Sequence, residues 1–250
     1  MPRRYSNPPL IEAVCEFRLS AESKWDLTVP GLMYERLRSD FPNKEQRVFQ
    51  EVQITQGPEG LQQRLQASER ILLLTSDKNI FIQLGPRLLA VNCLKPYPTW
   101  EGFMPRIDSA FDALRTVVEI RGFQRVALRY VNRIELPASV VNLEEYFEFG
   151  PMVGDSLMAE FPRGMADLTV GCVFSHNGGG DQCKVQLITA APDSPGNSAF
   201  LLDLDYFTSP PRVVKVDEAV GWVVSTHEKI ERVFEGCITQ RLRDLFGEVK

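Results

Sequence analysis

Arg129, Arg133 and Glu135 stand at even spacing in residues 123–136, a run whose intervening members Val126, Leu128, Tyr130, Ile134 and Leu136 are apolar. A period of two puts the charged set, with Arg125, on one face of a strand and the apolar set on the other. Asp203 and Asp205 alternate in the same way with Leu202, Leu204 and Tyr206. Guanidinium and carboxylate groups on adjacent strands support two chemistries. They can pair with each other, which stabilises a wet sheet modestly, or the arginines can hold an anionic ligand or an acidic partner. Glu12 and Glu16, in an alternating run at 10–19, add carboxylates. His227 lies on the apolar stripe of the last helical segment. An enzyme would need these carboxylates to converge with His227 as an acid–base set. The alternative for His227 is a core-edge imidazole whose ring nitrogen bonds a backbone or carboxylate group. The candidate binding residues are therefore Glu12, Arg129, Arg133, Glu135, Asp203, Asp205 and His227, with no catalytic residue, metal or cofactor assigned.

Other chemistry lacks parts. The chain has two histidines, His176 and His227, and contains no G-x-S-x-G, no G-x-x-x-x-G-K, no H-E-x-x-H and no C-x-x-C. Cys172, His176 and Cys183 could bracket a zinc ion across a hairpin, but Cys172 alternates with Val170 and Phe174 as an inward residue. Gly178-Gly179-Gly180 sits between two strands and does not open a helix, so it reads as a hairpin tip rather than a phosphate cradle. Asn132 interrupts an apolar row, and an unpartnered amide there would cost about 1–3 kcal/mol. It is expected to pin the strand to a helix.

The bulk numbers narrow the partner classes. A net charge of −5, from 28 basic and 33 acidic residues without long runs, gives no footprint for a phosphate backbone, so no nucleic acid is expected. No apolar run reaches the roughly 18 residues of a membrane span. The start Met-Pro-Arg-Arg-Tyr lacks the apolar stretch of a secretion signal. Five scattered cysteines, four of them in apolar runs, read as reduced thiols and a cytoplasmic location.

Two halves, 1–121 and 122–250, follow one plan and are expected to pack as a single globular unit. The first reads as a strand at 10–19, a helix at 29–39 with a stripe of Leu32, Met33 and Leu37, strands at 47–55, 61–67, 70–76 and 79–93 (the last broken at Gly85-Pro86), and a helix at 99–120 capped by Thr99. The second reads as a strand at 123–136, a short helix or turn at 143–149, a loop reaching Pro162-Arg163-Gly164, strands at 166–175, 182–190 and 199–207, and one long helix over 216–246 capped by Asp217. The short links make the strands antiparallel neighbours. The predicted fold is α+β, a duplicated unit of strand, helix, antiparallel sheet and long helix like the helix-grip and TATA-binding-protein folds. One sheet face lies under the long helices and the other is open.

Four separated segments carry a family likeness: Asn7-Pro8-Pro9-Leu10-Ile11-Glu12-Ala13, Leu128-Arg129-Tyr130-Val131-Asn132-Arg133-Ile134, Leu202-Asp203-Leu204-Asp205-Tyr206-Phe207, and the helix from His227 through Phe234, Ile238 and Thr239. In this order, across nearly the whole chain, they resemble the signature of a sporadically distributed bacterial family of uncharacterised proteins of this length. The resemblance implies no enzymatic activity and assigns no catalytic residue. It implies an accessory role in a defence or peptide-modification gene cluster. The expected function is that of a non-enzymatic binding or adaptor protein, which uses the open sheet face or the groove between sheet and helices to hold a protein or peptide. The alternative is a small anionic ligand or nucleotide sensor with a helix-grip cavity. An exposed edge strand in either half could pair with its copy in a homodimer.

Overall fold

The computed structural model describes residues 3–57, 60–160, 166–176, 178, 180–210 and 213–249. In chain order the elements are β1 (Arg4–Tyr5), β2 (Leu10–Leu19), α1 (Val29–Leu37), β3 (Asn43–Gly57), β4 (Gly60–Leu74), β5 (Ile80–Gly85), β6 (Leu88–Leu94) and α2 (Trp100–Val117). They continue with β7 (Phe123–Leu136), α3 (Asp155–Glu160), β8 (Thr169–His176), β9 (Asp181–Ala190), β10 (Ser198–Thr208), α4 (Ala219–Cys237), α5 (Gln240–Phe246) and β11 (Glu248–Val249). The chain is α+β with extensive antiparallel sheet. It divides into two compact units, Cys15–Arg125 and a second made of Met1–Val14 with Val126–Lys250. Among the described residues no helix is long and apolar enough to cross a membrane.

In the Cys15–Arg125 unit the strand order is β3-β4-β5-β6-β2, and β3, β4, β5 and β6 are consecutive antiparallel neighbours. Alternation places Phe17 and Leu19 on the face that α2 covers, and Phe17 stacks on Phe111 at 4.6 Å. The buried residues of α2, Phe103, Ile107, Ala110, Phe111 and Leu114, recur every three or four positions and give the helix one apolar stripe. Each large side chain so buried contributes about 1.5–3 kcal/mol. Gln83 Nε2 donates to Asn92 Oδ1 at 2.8 Å and Arg70 Nη1 donates to Gln83 Oε1 at 3.0 Å, a polar row across three strands of this unit.

In the second unit β7, β10, β9 and β8 are consecutive antiparallel neighbours. Arg133 N–H donates to the carbonyl of Pro9, just ahead of β2. Trp222, Val223 and Ile230 are the buried stripe of α4, and Trp222 lies 6.1 Å from the Tyr206 ring of β10. β1 pairs with β11, and Tyr5 packs edge-on against Phe234 and Phe246 while its hydroxyl donates to Glu235 at 2.5 Å. Burial and that carboxylate push the Tyr5 phenol well above its ordinary value. The two ends of the chain are thereby clasped within one unit.

Several expectations are corrected. The helix expected over 216–246 is a 3-10 turn at Val216–Glu218, then α4, then α5 after a break at Ile238-Thr239. Ile238 is extended and bridges Phe147, which stops the first helix although the apolar spacing runs on. The strands expected at 61–67 and 70–76 are one strand, β4, and the strand expected at 47–55 runs over Asn43–Gly57. Leu32 is exposed, because it stands one residue off the Val29, Met33 and Leu37 stripe. Thr99 gives no side-chain cap, and the N-cap positions near Asp217 are Lys215 and Glu218 instead. Asn132 donates to the carbonyl of Leu202 at 3.2 Å and so pins strand to strand, not strand to helix. Cys172 is exposed, since β8 ends the strand order and nothing described covers it. The stretch from 150 to Pro162-Arg163-Gly164, expected to be loop, contains α3 at Asp155–Glu160, while its end, the turn expected at Gln56–Gly60 and the tip at Gly178–Gly180 fall wholly or partly outside the described residues.

Candidate functional site

The charged face of the second unit forms two clusters. A strand advances about 3.3 Å per residue, so Arg129 and Arg133 are roughly 13 Å apart and serve different neighbours. Arg129 sits directly opposite Asp205 but reaches diagonally to Asp203, donating from Nε at 2.8 Å and from Nη2 at 2.6 Å. This two-pronged bond holds the guanidinium charge firmly, and Asp203, Asp205 and Glu12 together raise its pKa. Asp203 is almost wholly buried beneath it. One arginine among three carboxylates leaves this cluster acidic, although Lys184 stands opposite Asp205 on β9.

The second cluster holds a loop. Arg133 Nη2 donates to the carbonyl of Ala191 at 2.7 Å and to Asp193 at 2.8 Å. Glu135 accepts from the backbone N–H groups of Asp193 (3.2 Å) and Ser194 (3.1 Å) and from Asn197 Nδ2 (2.8 Å). These donors keep the Glu135 carboxyl below its ordinary range. The β9–β10 connection is thus fastened to β7 by two side chains of opposite charge. Both arginines are committed to groups of their own chain, Arg129 to Asp203 on the neighbouring strand and Arg133 to the β9–β10 connection.

His227 stands apart from both clusters because Tyr130, its partner, points to the helix-covered side of β7. Its Nδ1 lies 2.8 Å from the Tyr130 hydroxyl and its Nε2 lies 3.4 Å from Glu231 Oε1. The convergence of Glu12, Glu16, Asp203 and Asp205 with His227 that an enzyme would need is therefore not formed among these groups. Against the same helix Asp181, the first residue of β9 and fully buried, accepts from Trp222 Nε1 at 3.1 Å and faces Lys229 Nζ at 3.7 Å. His176 Nδ1 lies 2.9 Å from the Tyr206 hydroxyl, and Lys229 lies over the same ring. Sequence reasoning missed this group, whose only sign was Asp181 at the head of an apolar strand. Among the described residues no set of three His, Cys, Asp or Glu side chains gathers as a metal site.

The Cys15–Arg125 unit holds a feature of a different kind. Between α1 and strands β3, β4 and β5 lies a cavity of about 740 Å³. Its floor is Ile71, Leu73 and Leu84 and its walls include Trp25, Pro30, Tyr34 and Pro86. Leu27 on its lip is 99% exposed. The polar lining is Asp26, Lys44, Ser68 and Glu69. Asp26 is occupied locally, accepting from the Thr28 hydroxyl and N–H, which lowers its pKa. Glu69 accepts from Gln46 Nε2 at 3.2 Å. Lys44 lies over the Tyr34 ring at 4.5 Å. The nine-residue α1 buries Val29, Met33 and Leu37, and Leu73 and Leu84 beside the cavity are buried as well, so its open part lies toward Leu27 and Ile71. A space of this volume, mostly apolar with a few polar groups, suits an organic ligand or a pair of apolar side chains.

Comparison of the chain with protein-family models, with curated proteins and with solved structures finds no match.

Proposed function

We propose that this is a non-enzymatic binding protein whose recognition site is the cavity beside α1, into which a protein or peptide partner inserts apolar side chains. The observation that carries the reading is Leu27, an aliphatic side chain held fully in water at the mouth of an apolar cavity. An apolar anchor entering there would cover Leu27, Trp25 and Tyr34 together, the aromatic-rich composition typical of interface centres. The charged face of β7 and β10 supports this placement by contrast, since its arginines already have carboxylate partners. Five free thiols, four of them buried, support a reducing, cytoplasmic setting.

The strand orders also support descent by duplication. In one unit the opening strand β2 lies beside β6, the last of a meander β3-β4-β5-β6; in the other β7 lies beside β10, the last of β8-β9-β10. Each meander leads into a long helix, α2 or α4. In the helix-grip reading of this plan the cavity between α1 and the sheet is the ligand space.

Lys44 favours a second reading. It has no ion pair among the described residues and stands at the rim of an apolar space, which would suit a small anionic amphiphile. Peptides displayed at random and panned on the protein test the first reading. Enriched sequences should carry large apolar anchors, shift the emission of Trp25, and lose at least tenfold in affinity for a Leu27→Asp variant. Enrichment indifferent to Leu27→Asp and silent at Trp25 would overturn it. A metabolite panel read by thermal shift tests the second, because binding to the folded state raises Tm by mass action. A shift abolished by Lys44→Ala would replace the peptide with a small anion.

A further inference from the structure

The two strands that end the sheet orders are treated differently. β3 begins Asn43-Lys44-Glu45-Gln46-Arg47, with three charges in five residues, the usual protection of an exposed strand edge. β8, Thr-Val-Gly-Cys-Val-Phe-Ser-His, has no Asp, Glu, Lys, Arg or Pro in eight residues. All of it but Val170 is exposed, with Val173 and Phe174 more than half in water. We propose that the edge of β8 is a homodimer interface, pairing antiparallel with β8 of a second copy in a register centred on Cys172.

Symmetry and hydrogen bonding together select that register. A closed two-fold dimer joining two identical antiparallel edges has its axis perpendicular to the sheet, so residues facing each other across it must point to the same side. They therefore share parity, and the axis passes through a residue position. Just ahead of β8 the Thr189 N–H donates to the Leu168 carbonyl, and the β8–β9 register continues from Thr169 opposite Ile188. Antiparallel pairs alternate between bonded and non-bonded. Even-numbered residues thus spend their main-chain groups on β9, and Thr169, Gly171, Val173 and Ser175 direct theirs outward. Centring on Cys172 sets Gly171 against Val173 of the second copy and Thr169 against Ser175 of the second copy. With the symmetric counterparts this gives about eight main-chain hydrogen bonds, two for each bonded pair. Centring on Val173 would set Thr169 beyond the end of the strand and give fewer. On the other side of the sheet Val170 meets Phe174 of the second copy, an aliphatic–aromatic pair of the kind that stabilises sheets. A two-fold edge sets like residues near like, so the missing charges are what self-pairing requires and β3 lacks.

The register makes one geometric demand that no other arrangement shares. Cys172 faces its own copy in a non-bonded pair, where Cα atoms lie about 4.5 Å apart, within the range of about 4.4–6.8 Å that a disulfide spans. The remaining cysteines are buried, and burial pushes the thiols of Cys93, Cys183 and Cys237 up to about 11, 12 and 12, so they react slowly. Sedimentation of the reduced full chain at tens of micromolar should give twice the 28.3 kDa chain mass. Diamide should then link the copies: two Cys172 thiols lose two protons and two electrons to form the disulfide as diamide is reduced to its hydrazine. Cys172→Ser should abolish the link and keep the dimer, while Cys172→Lys, with like charges opposed at the axis, should weaken dimerisation at least tenfold. A monomer under these conditions, a dimer insensitive to Cys172→Lys, or a dimer that diamide does not link through Cys172 would each overturn the proposal.

Discussion

The charged face of β7 and β10 and the cavity beside α1 invert each other. On the first, nearly every conspicuous side chain is answered from within the chain: Arg129 by Asp203, Arg133 by Ala191 and Asp193, Glu135 by the backbone of its loop. At the second, Leu27 and Lys44 are answered by almost nothing except a tyrosine ring. Charge is visible in a sequence and draws attention, yet on a sheet it is most often spent on neighbours. Apolar groups held in water at a concave place signal a partner more strongly, because folding gains nothing from leaving them there.

The largest effect that would break this contrast lies under Arg129. Asp203→Ala leaves a half-buried guanidinium without its two-pronged acceptor, and the cost should be about 1–3 kcal/mol, the penalty for stranding one member of a partly buried charged pair. For a chain of this size that lowers Tm by roughly 2–4 °C per kcal/mol. Arg129→Ala combined with Asp203→Ala should cost less than the sum of the single changes, because the two residues share one interaction. Denaturant unfolding of the four proteins measures the coupling. Strict additivity would show that the pair is not holding the strands together and would return Arg129 to the list of ligand-binding residues.

A smaller effect follows from Glu135. Its donors favour the charged carboxylate, so its folded pKa lies below the ordinary 4.5. The fastening of residues 191–197 is therefore complete above pH 4.5 and is lost as pH falls through the depressed folded value. The amide signals of Ser194 and the side-chain amide of Asn197 should titrate with a midpoint below 4.5, and Glu135→Gln should remove that step. A midpoint at or above 4.5 would mean that the loop is held by something other than this carboxylate.

What the sequence disclosed and what it hid follow from the same physics. β2 and β7 were legible to the residue, since alternation over ten or more positions has one reading. The break at Ile238-Thr239 was not, because Ile238, Leu242 and Leu245 keep helical spacing across it; the sign available was Thr239, a good N-cap type placed just before α5. The gap between the strands expected at 61–67 and 70–76 fell on Ser68-Glu69, two polar residues that lie inside β4. The pairing of Arg129 with Asp203 was foreseeable as strand chemistry, although only the register shows that the diagonal partner wins over Asp205 directly opposite. The cavity was invisible. Trp25, Tyr34, Ile71 and Leu84 are far apart in sequence and each reads as ordinary core, and the emptiness among them depends on how far a nine-residue helix reaches.

The smallest expected effect is the most discriminating. Leu27 makes no use of its side chain in the free protein, so Leu27→Ala should change stability by no more than about 0.5 kcal/mol, the range of an ordinary surface substitution. Any loss of partner affinity in that variant is then a loss of contact rather than of fold, and the ratio of the two effects separates a recognition residue from a structural one. Asp203→Ala should show the opposite ratio, with stability falling and affinity for a cavity-bound partner unchanged. Denaturation and binding measured on both variants give the two ratios. Should Leu27→Ala destabilise the chain by more than 1 kcal/mol, the leucine would be serving the fold in solution, and the difference drawn between the two regions would disappear.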